Sequence, residues 1–278
     1  MEFAYYNGKI MPYKEVNIPL SDRAVFFGDG VYDCMIGGKG NVYQIDKHLE
    51  RLRTNTRLLT LDFSLTNDSI SEIISSLISL SKFEYYTVYI QVSRRGELRR
   101  HYCKDFTRSN LCITVTELNP EFNPAPISLI STEDIRYRMC HIKTLNLLPS
   151  VLAAAKAEGN GADETVFIRD GIVTECSHSN VSILKNDTLY THPLSRDILP
   201  GIMRENLIHE CKEMGIQVKE ECYGYNELIS ADEVIVTSTT HFARRVRKID
   251  ENSINLREKS AFYELSERLL KNFAKCCC

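Results

Sequence analysis

The chain has 278 residues, 43% hydrophobic and 26% charged, enough to bury one large core or two modest ones and too apolar for a wholly disordered chain. A net charge of −3 leaves no bulk positive field for nucleic acid or an anionic membrane. The opening MEFAYYNGKI lacks a basic n-region and an apolar h-region, and no apolar run approaches a membrane span, so a cytoplasmic protein without nucleic-acid or membrane partners is expected.

In chain order, residues 1–117 read as a mixed α and β domain. A helix capped by Asp46 is expected to bury Leu49, Leu52, Thr56 and Leu59, and a second after Asn67 to bury Ile70, Ile73, Ile74, Leu77 and Ile78. YYTVYIQV (85–92) and LCITVT (111–116) are rich in β-branched and aromatic residues and predict strands, with a polar, basic loop between them. LNPEFNPAP, with its three prolines, predicts a linker over residues 118–126. In the second domain, residues 127–278, short strands at 127–131, 164–168, 181–184 and 233–237 alternate with helices. VLAAAKAEG forms one helix, and Pro200 opens another that carries Met203, Leu207, Cys211 and Met214 on one face. Arg244, Arg245, Arg247 and Lys248 are expected in a solvated loop.

The ten cysteines show neither C-x-x-C pairs nor histidine at ligand spacing, so neither a metal nor a disulfide framework is expected. Seven, Cys103 among them, are scattered. Cys276, Cys277 and Cys278 form a tail expected to fray.

Several residues have the right chemistry for a cofactor site. Lys143, expected at a strand end, sits between Ile142 and Leu145, apolar company that suits an amine for a Schiff base. Taken alone it reads as an ordinary surface lysine. Glu175, expected just after a short strand behind the Asp170-Gly171 turn, is a carboxylate that could hold a pyridine nitrogen or simply edge a turn. The helix entered through Leu199, Pro200, Gly201 and Ile202 offers free N–H groups for a phosphate, as does any helix start, and the hydroxyls of VTSTTHF (236–242) could bind phosphate or cap.

Their order and spacing are specific where the single residues are not. IK-x-LNLL, then T-E-x-S-x-S-N-V, then L-x-G-I-x-R, then TSTT, preceded by DRAVFFGDGVYD (22–33) and HLERL (48–52), resembles the class IV aminotransferases, the fold-type IV pyridoxal-phosphate enzymes. The likeness spans nearly the whole chain. It implies a two-lobed α+β or α/β fold, with a small N-terminal domain, a larger C-terminal one and pyridoxal 5'-phosphate at their interface. It further implies that Lys143 is the Schiff-base lysine and proton shuttle, that Glu175 pairs with the ring nitrogen and that Leu199 packs on the ring. Arg51, the backbone at Ile202 and Met203, Ser238, Thr239 and Thr240 would hold the phosphate.

Within that family QVSRRGELRRHY (91–102) is similar to the D-amino-acid enzymes, whose R-x-H pair and a tyrosine take the substrate α-carboxylate; here these would be Arg99, His101 and Tyr32. The resemblance lends this loop from a partner subunit and so implies a homodimer. The resulting expectation is a ping-pong transaminase passing the amino group of a D-amino acid to 2-oxoglutarate or pyruvate. A branched-chain L-amino-acid or (R)-amine transaminase, an aminodeoxychorismate lyase and a non-enzymatic vitamin-B6 binder are the alternatives. Arg94 and Arg100 could serve acidic side chains or face water. Asp33 stands where the family usually has glutamate, and His178 lies in a stretch normally built of small residues, where it could touch the cofactor or be inert.

Overall fold

The computed structural model describes residues 2–96, 99–102, 105, 107–256 and 260–278; Cys103 lies outside the described residues. The chain divides into two compact units, Met1–Pro120 with Ile142–Asn146 and Phe273–Cys278, and Glu121–His141 with Leu147–Asn272. The linear cut into 1–117 and 127–278 is amended accordingly: the segment around Lys143 and the C-terminal segment pack with the first unit.

The first unit holds strands β1 (Phe3–Tyr6), β2 (Lys9–Pro12), β3 (Gly30–Gly38), β4 (Asn41–Val42), β5 (Tyr85–Arg94) and β6 (Ser109–Glu117), and helices α1 (Arg23–Phe27), α2 (Ile45–Leu58) and α3 (Asn67–Ser81). The strands form an antiparallel sheet ordered β2-β1-β6-β5-β3-β4. Alternation decides its faces: Tyr86, Val88, Ile90 and Val92 are buried, while their neighbours on β5 are half-buried or stand on the other face. Register sets Val88 against Val115 and Ile90 against Ile113. The buried side packs against Leu49 and Leu52 of α2 and Ile70, Ile74 and Leu77 of α3. Leu59 and Ile73 are half-buried at the rim. α2 begins one residue before Asp46, with Gln44 as its cap, so Asp46 lies in the first turn, where its charge complements the helix dipole.

The second unit contains β7 (Ile127–Glu133), β8 (Glu164–Arg169), β9 (Ile172–Cys176), β10 (Asn180–Lys185), β11 (Thr188–Thr191), β12 (Gln217–Glu220), β13 (Glu233–Ser238), β14 (Phe242–Ile249) and β15 (Asn252–Ser253). Its helices are α4 (Leu148–Gly159), α5 (Ile202–Glu213), α6 (Tyr225–Ile229) and most of α7 (Ala261–Cys277). The sheet runs β12-β11-β10-β13-β14-β7-β8-β9, with β15 beside β14, and mixes parallel and antiparallel pairs. Val166, Val181, Val234, Val236 and Val246 lie in its core. The basic cluster expected in a loop belongs to β14, because Phe242 and Ser238 pair directly and continue the hairpin. Arg245 is buried there and its Nε donates to Glu233 Oε2 at 2.9 Å.

The C-terminal tail is not frayed. Leu265, Leu269, Phe273 and Cys277 recur every four residues, and that stripe is buried to the end of α7. Lys39 Nζ donates to the Cys278 carbonyl at 3.2 Å.

Candidate active site

Lys143 is not at a strand end. Its segment is an irregular strap, joined to β3 by a single antiparallel bridge between Val31 and Thr144. The Tyr32 N–H donates to the Lys143 carbonyl at 3.0 Å, and the Leu145 N–H to the Gly30 carbonyl at 3.1 Å. Glycine at position 30 permits this approach, since a Cβ would lie 2.7 Å from the Val92 carbonyl oxygen and 2.8 Å from Leu145 Cδ1. Period two puts Tyr32 and Cys34 on the strap's face of β3, and Val31, Asp33 and Met35 on the helix face. Lys143 Nζ lies 4.4 Å from the Tyr32 ring centroid, close enough for a cation–π contact, and that ring stacks on Tyr89 at 5.5 Å. Burial pushes the Tyr89 hydroxyl and the Cys34 thiol up in pKa, so neither neighbour is an anion at neutral pH.

On the opposite face of β3, Asp33 is buried and meets two side chains of α2. Arg51 Nε and Nη2 each donate at 2.8 Å, one to each Asp33 oxygen, and His48 Nδ1 donates to Oδ1 at 2.7 Å. Burial alone would raise this carboxyl, but the Arg51 charge and the hydrogen bonds from His48 and Arg51 hold it well below the usual carboxylate range. Burial pushes His48 down against the pull of Asp33, so it sits there as a neutral donor. The departure at position 33 thus orients Arg51.

Arg99 and His101 are exposed. Arg99 lies 5.4 Å from the Phe27 ring centroid and the His101 ring 5.5 Å from the same ring. Arg94 is buried and donates through Nε to Asp29, at 3.0 Å to Oδ2, so it is not turned to a substrate or to water.

In the second unit Glu175 lies within β9 rather than after a strand, because the two-residue Asp170-Gly171 turn starts β9 at Ile172. It is 5% exposed, and both its oxygens accept: Oε1 from Arg136 Nη1, and Oε2 from Asn180 Nδ2 at 2.9 Å and from the Leu199 N–H at 2.9 Å. Arg136 is fixed in turn by Asp134, through Nε at 2.9 Å and Nη2 at 2.8 Å, and lies 4.4 Å over the Phe167 ring. Burial would raise Asp134, yet its bonds from Arg136 win and hold it low. Asn180 Nδ2 also donates to the Leu199 carbonyl at 3.0 Å, which ties Leu199 to the same carboxylate.

Ile202 and Met203 are the first two residues of α5, both buried, behind a Gly201 N-cap that supplies no side-chain acceptor. The first-turn N–H groups there have no side-chain cap. Ser238 ends β13, and Thr239 and Thr240 form the turn into β14, with Ser238 Oγ 3.5 Å from Thr240 Oγ1. A cavity of about 140 Å³ opens among His178, Ser238, His241 and Arg244, with Glu164 on its wall. The His178 side chain is 58% exposed and its Nδ1 is 3.1 Å from Glu164.

Sequence reasoning missed Arg136, Asn180 and His48. Arg136 lies between Ile135 and Tyr137, seven residues before Lys143 and outside every motif, so nothing in the sequence marks it. Asn180 belonged to the S-N-V motif without a role.

A family model described as amino-transferase class IV matches residues 30–249. A D-alanine aminotransferase of Bacillus licheniformis is 34% identical over 251 residues, 90% of this chain and 89% of that one. A D-alanine aminotransferase of Staphylococcus aureus is 31% identical over 261 residues, 92% of each. Among solved structures, a branched-chain aminotransferase from Thermoproteus uzoniensis superposes with a TM-score of 0.90 at 20% identity, covering 98% of this chain and 95% of that one. A putative 4-amino-4-deoxychorismate lyase from Legionella pneumophila gives 0.87 at 23% identity, covering 94% and 97%. At those identities the two structures speak for the fold alone.

Proposed function

Since the chain belongs to the class IV aminotransferases, enzymes that work with pyridoxal phosphate, we propose that it passes the amino group of a D-amino acid to 2-oxoglutarate or pyruvate in ping-pong half-reactions. The likeness to D-alanine aminotransferases over nine-tenths of both chains carries this reading, in a chain that has Arg99 and His101 in its basic loop.

The residues present fit the cofactor. Lys143 offers an amine beside neutral neighbours, Glu175 a buried carboxylate with fixed orientation, and α5 an uncapped first turn. Bound pyridoxal phosphate supplies the carbonyl that accepts the amino group and the electron sink that eases loss of the α-proton. Lys143 Nζ would take that proton from the substrate α-carbon and deliver it to the cofactor's C4′, the transfer that leaves the amino group behind. Glu175, steadied by Arg136, Asn180 and the Leu199 N–H, holds the ring nitrogen, and Leu199 lies on the ring. Arg51, aimed by Asp33, takes the phosphate together with the N–H groups of Ile202 and Met203 and the hydroxyls of Ser238, Thr239 and Thr240. Arg99, His101 and Tyr32 hold the substrate α-carboxylate. Fixing that group decides which enantiomer turns its Cα–H toward Lys143.

The unit works as a homodimer in this reading, with the Arg99–His101 loop serving the partner's site. The outward face of α4 supports it: Leu148, Val151 and Leu152 are 68%, 59% and 56% exposed, an apolar stripe that a lone subunit would leave in water. A coupled assay with D-alanine and 2-oxoglutarate tests the reaction. Pyruvate release from D-alanine and none from L-alanine is expected, lost in Lys143→Ala. Turnover of L-leucine with no D-amino acid accepted sinks the reading.

A further inference from the structure

Arg99, Arg100 and His101 are exposed, yet the backbone between them is fastened from beneath. The fastener is Arg23, the first residue of α1 and only 5% exposed. Its Nη1 donates to the Arg100 carbonyl and its Nη2 to the His101 carbonyl at 3.0 Å. Its Nε donates to Asp29 Oδ2 at 2.8 Å. The same Asp29 oxygen accepts from Arg94 Nε at 3.0 Å, and Arg94 Nη2 donates to the Leu59 carbonyl at 2.6 Å. One chain of ion pairs and carbonyl bonds therefore runs from the end of α2 to the exposed loop.

Phe27, on the next turn of α1, completes the mount. Its ring lies 4.5 Å from Arg23 Cζ, 5.4 Å from Arg99 Cζ and 5.5 Å from the His101 ring. A planar fork that grips two successive carbonyls fixes both the position and the rotation of a backbone, which a point charge cannot do. Two exposed side chains meant to meet one carboxylate lose affinity steeply when their carrier wanders.

We propose that Arg23 is the positioning residue of the carboxylate loop, holding the Arg100 and His101 carbonyls so that Arg99 and His101 converge on the substrate's α-carboxylate. This rests on the reading of Arg99 and His101 given above. Arg23 itself touches neither substrate nor cofactor; it acts through the loop.

The test compares Arg23→Gln, Arg23→Lys and Arg99→Ala holoenzymes by kcat and KM for D-alanine, by inhibition with propionate, a carboxylate without an amino group, and by the absorbance of the bound cofactor. In Arg23→Gln the KM and the propionate inhibition constant rise together by about tenfold, while kcat stays within about twofold and the cofactor spectrum is unchanged. Arg23→Lys recovers part of the loss, because an ammonium reaches one carbonyl but not two. Arg23→Gln values equal to wild type, alongside an Arg99→Ala enzyme with raised KM, overturn the proposal and leave the proposed function standing. Unchanged KM in Arg99→Ala removes the carboxylate reading and this proposal with it. Equal losses of kcat and cofactor at constant KM overturn it in favour of a purely structural arginine. Should Arg23→Gln not fold, Asp29→Asn, which loosens the same fork without removing it, is read in the same way, with a smaller rise in KM expected.

Discussion

Asp33 shows how much a single buried carboxylate can organise. It faces Arg51 and His48 across 18 and 15 residues of sequence, so its role depends on β3 lying against α2. Asp33→Asn removes the charge that Arg51 answers, and leaves that guanidinium poorly matched in a buried place. A loss of about 3 kcal/mol is expected by denaturant unfolding of the apoprotein, with cofactor affinity reduced as well. Acid should act in two stages. His48 has its folded pKa pushed below the ordinary histidine value, so the unfolded chain binds the proton first, and stability falls as the pH drops below about 6.5. The carboxyls of Asp33 and Asp134 are held low in the folded state, so their contribution is complete above the ordinary carboxylate range and is lost below about pH 4. Melting temperatures from pH 8 to pH 3 check both; His48→Gln should flatten the first stage and leave the second. None of these pairings could be read from sequence. Lys143 and Glu175 could be named by motif, but the arginine on Glu175 lies 39 residues away from it and meets it only through folding.

At the scale of elements, legibility followed periodicity. α2, α3, α5, β5 and β6 carry long apolar repeats, and each was visible as a run. α1, β1, β2 and α6 are four or five residues long, too short for a period to register. The strap at Lys143 has one bridge and no alternation, so its apolar neighbours do not make a strand end. α7 carries a readable stripe of Phe262, Leu265, Leu269 and Phe273, and Cys277 continues it into the cysteine tail. The junction of β10 and α5 gives a prediction. A Cβ on Gly201 would fall 1.9 Å from Asn180 Oδ1, the amide that ties Glu175 to Leu199. Gly201→Ala should therefore displace Asn180, cost about 1–3 kcal/mol in stability and weaken cofactor binding. Calorimetry and cofactor titration measure the two effects, and unaltered cofactor affinity would count against Asn180 as a link in the site.

At the scale of the whole molecule the expectation is a pair of subunits. Val151→Glu with Leu152→Glu places two charges on the exposed stripe of α4, and sedimentation should show monomers in place of dimers. Subunit mixing tests the shared loop more directly. Lys143→Ala and Arg99→Ala proteins are each inactive or weak alone. Refolded together, they should regain about a quarter of wild-type turnover, since half of the random pairs then hold one intact site. No recovery would place the loop in the same subunit's site.

The strap at Lys143 has a bearing on handedness. The hydrogen bonds from Tyr32 to the Lys143 carbonyl and from Leu145 to the Gly30 carbonyl hold the backbone just beyond the lysine Cα, so the nitrogen swings from a held pivot. On the proposed function, the side from which it reaches the flat cofactor is settled when β3 and the strap come together in folding. On that same function, stereochemistry is therefore inherited from chain topology.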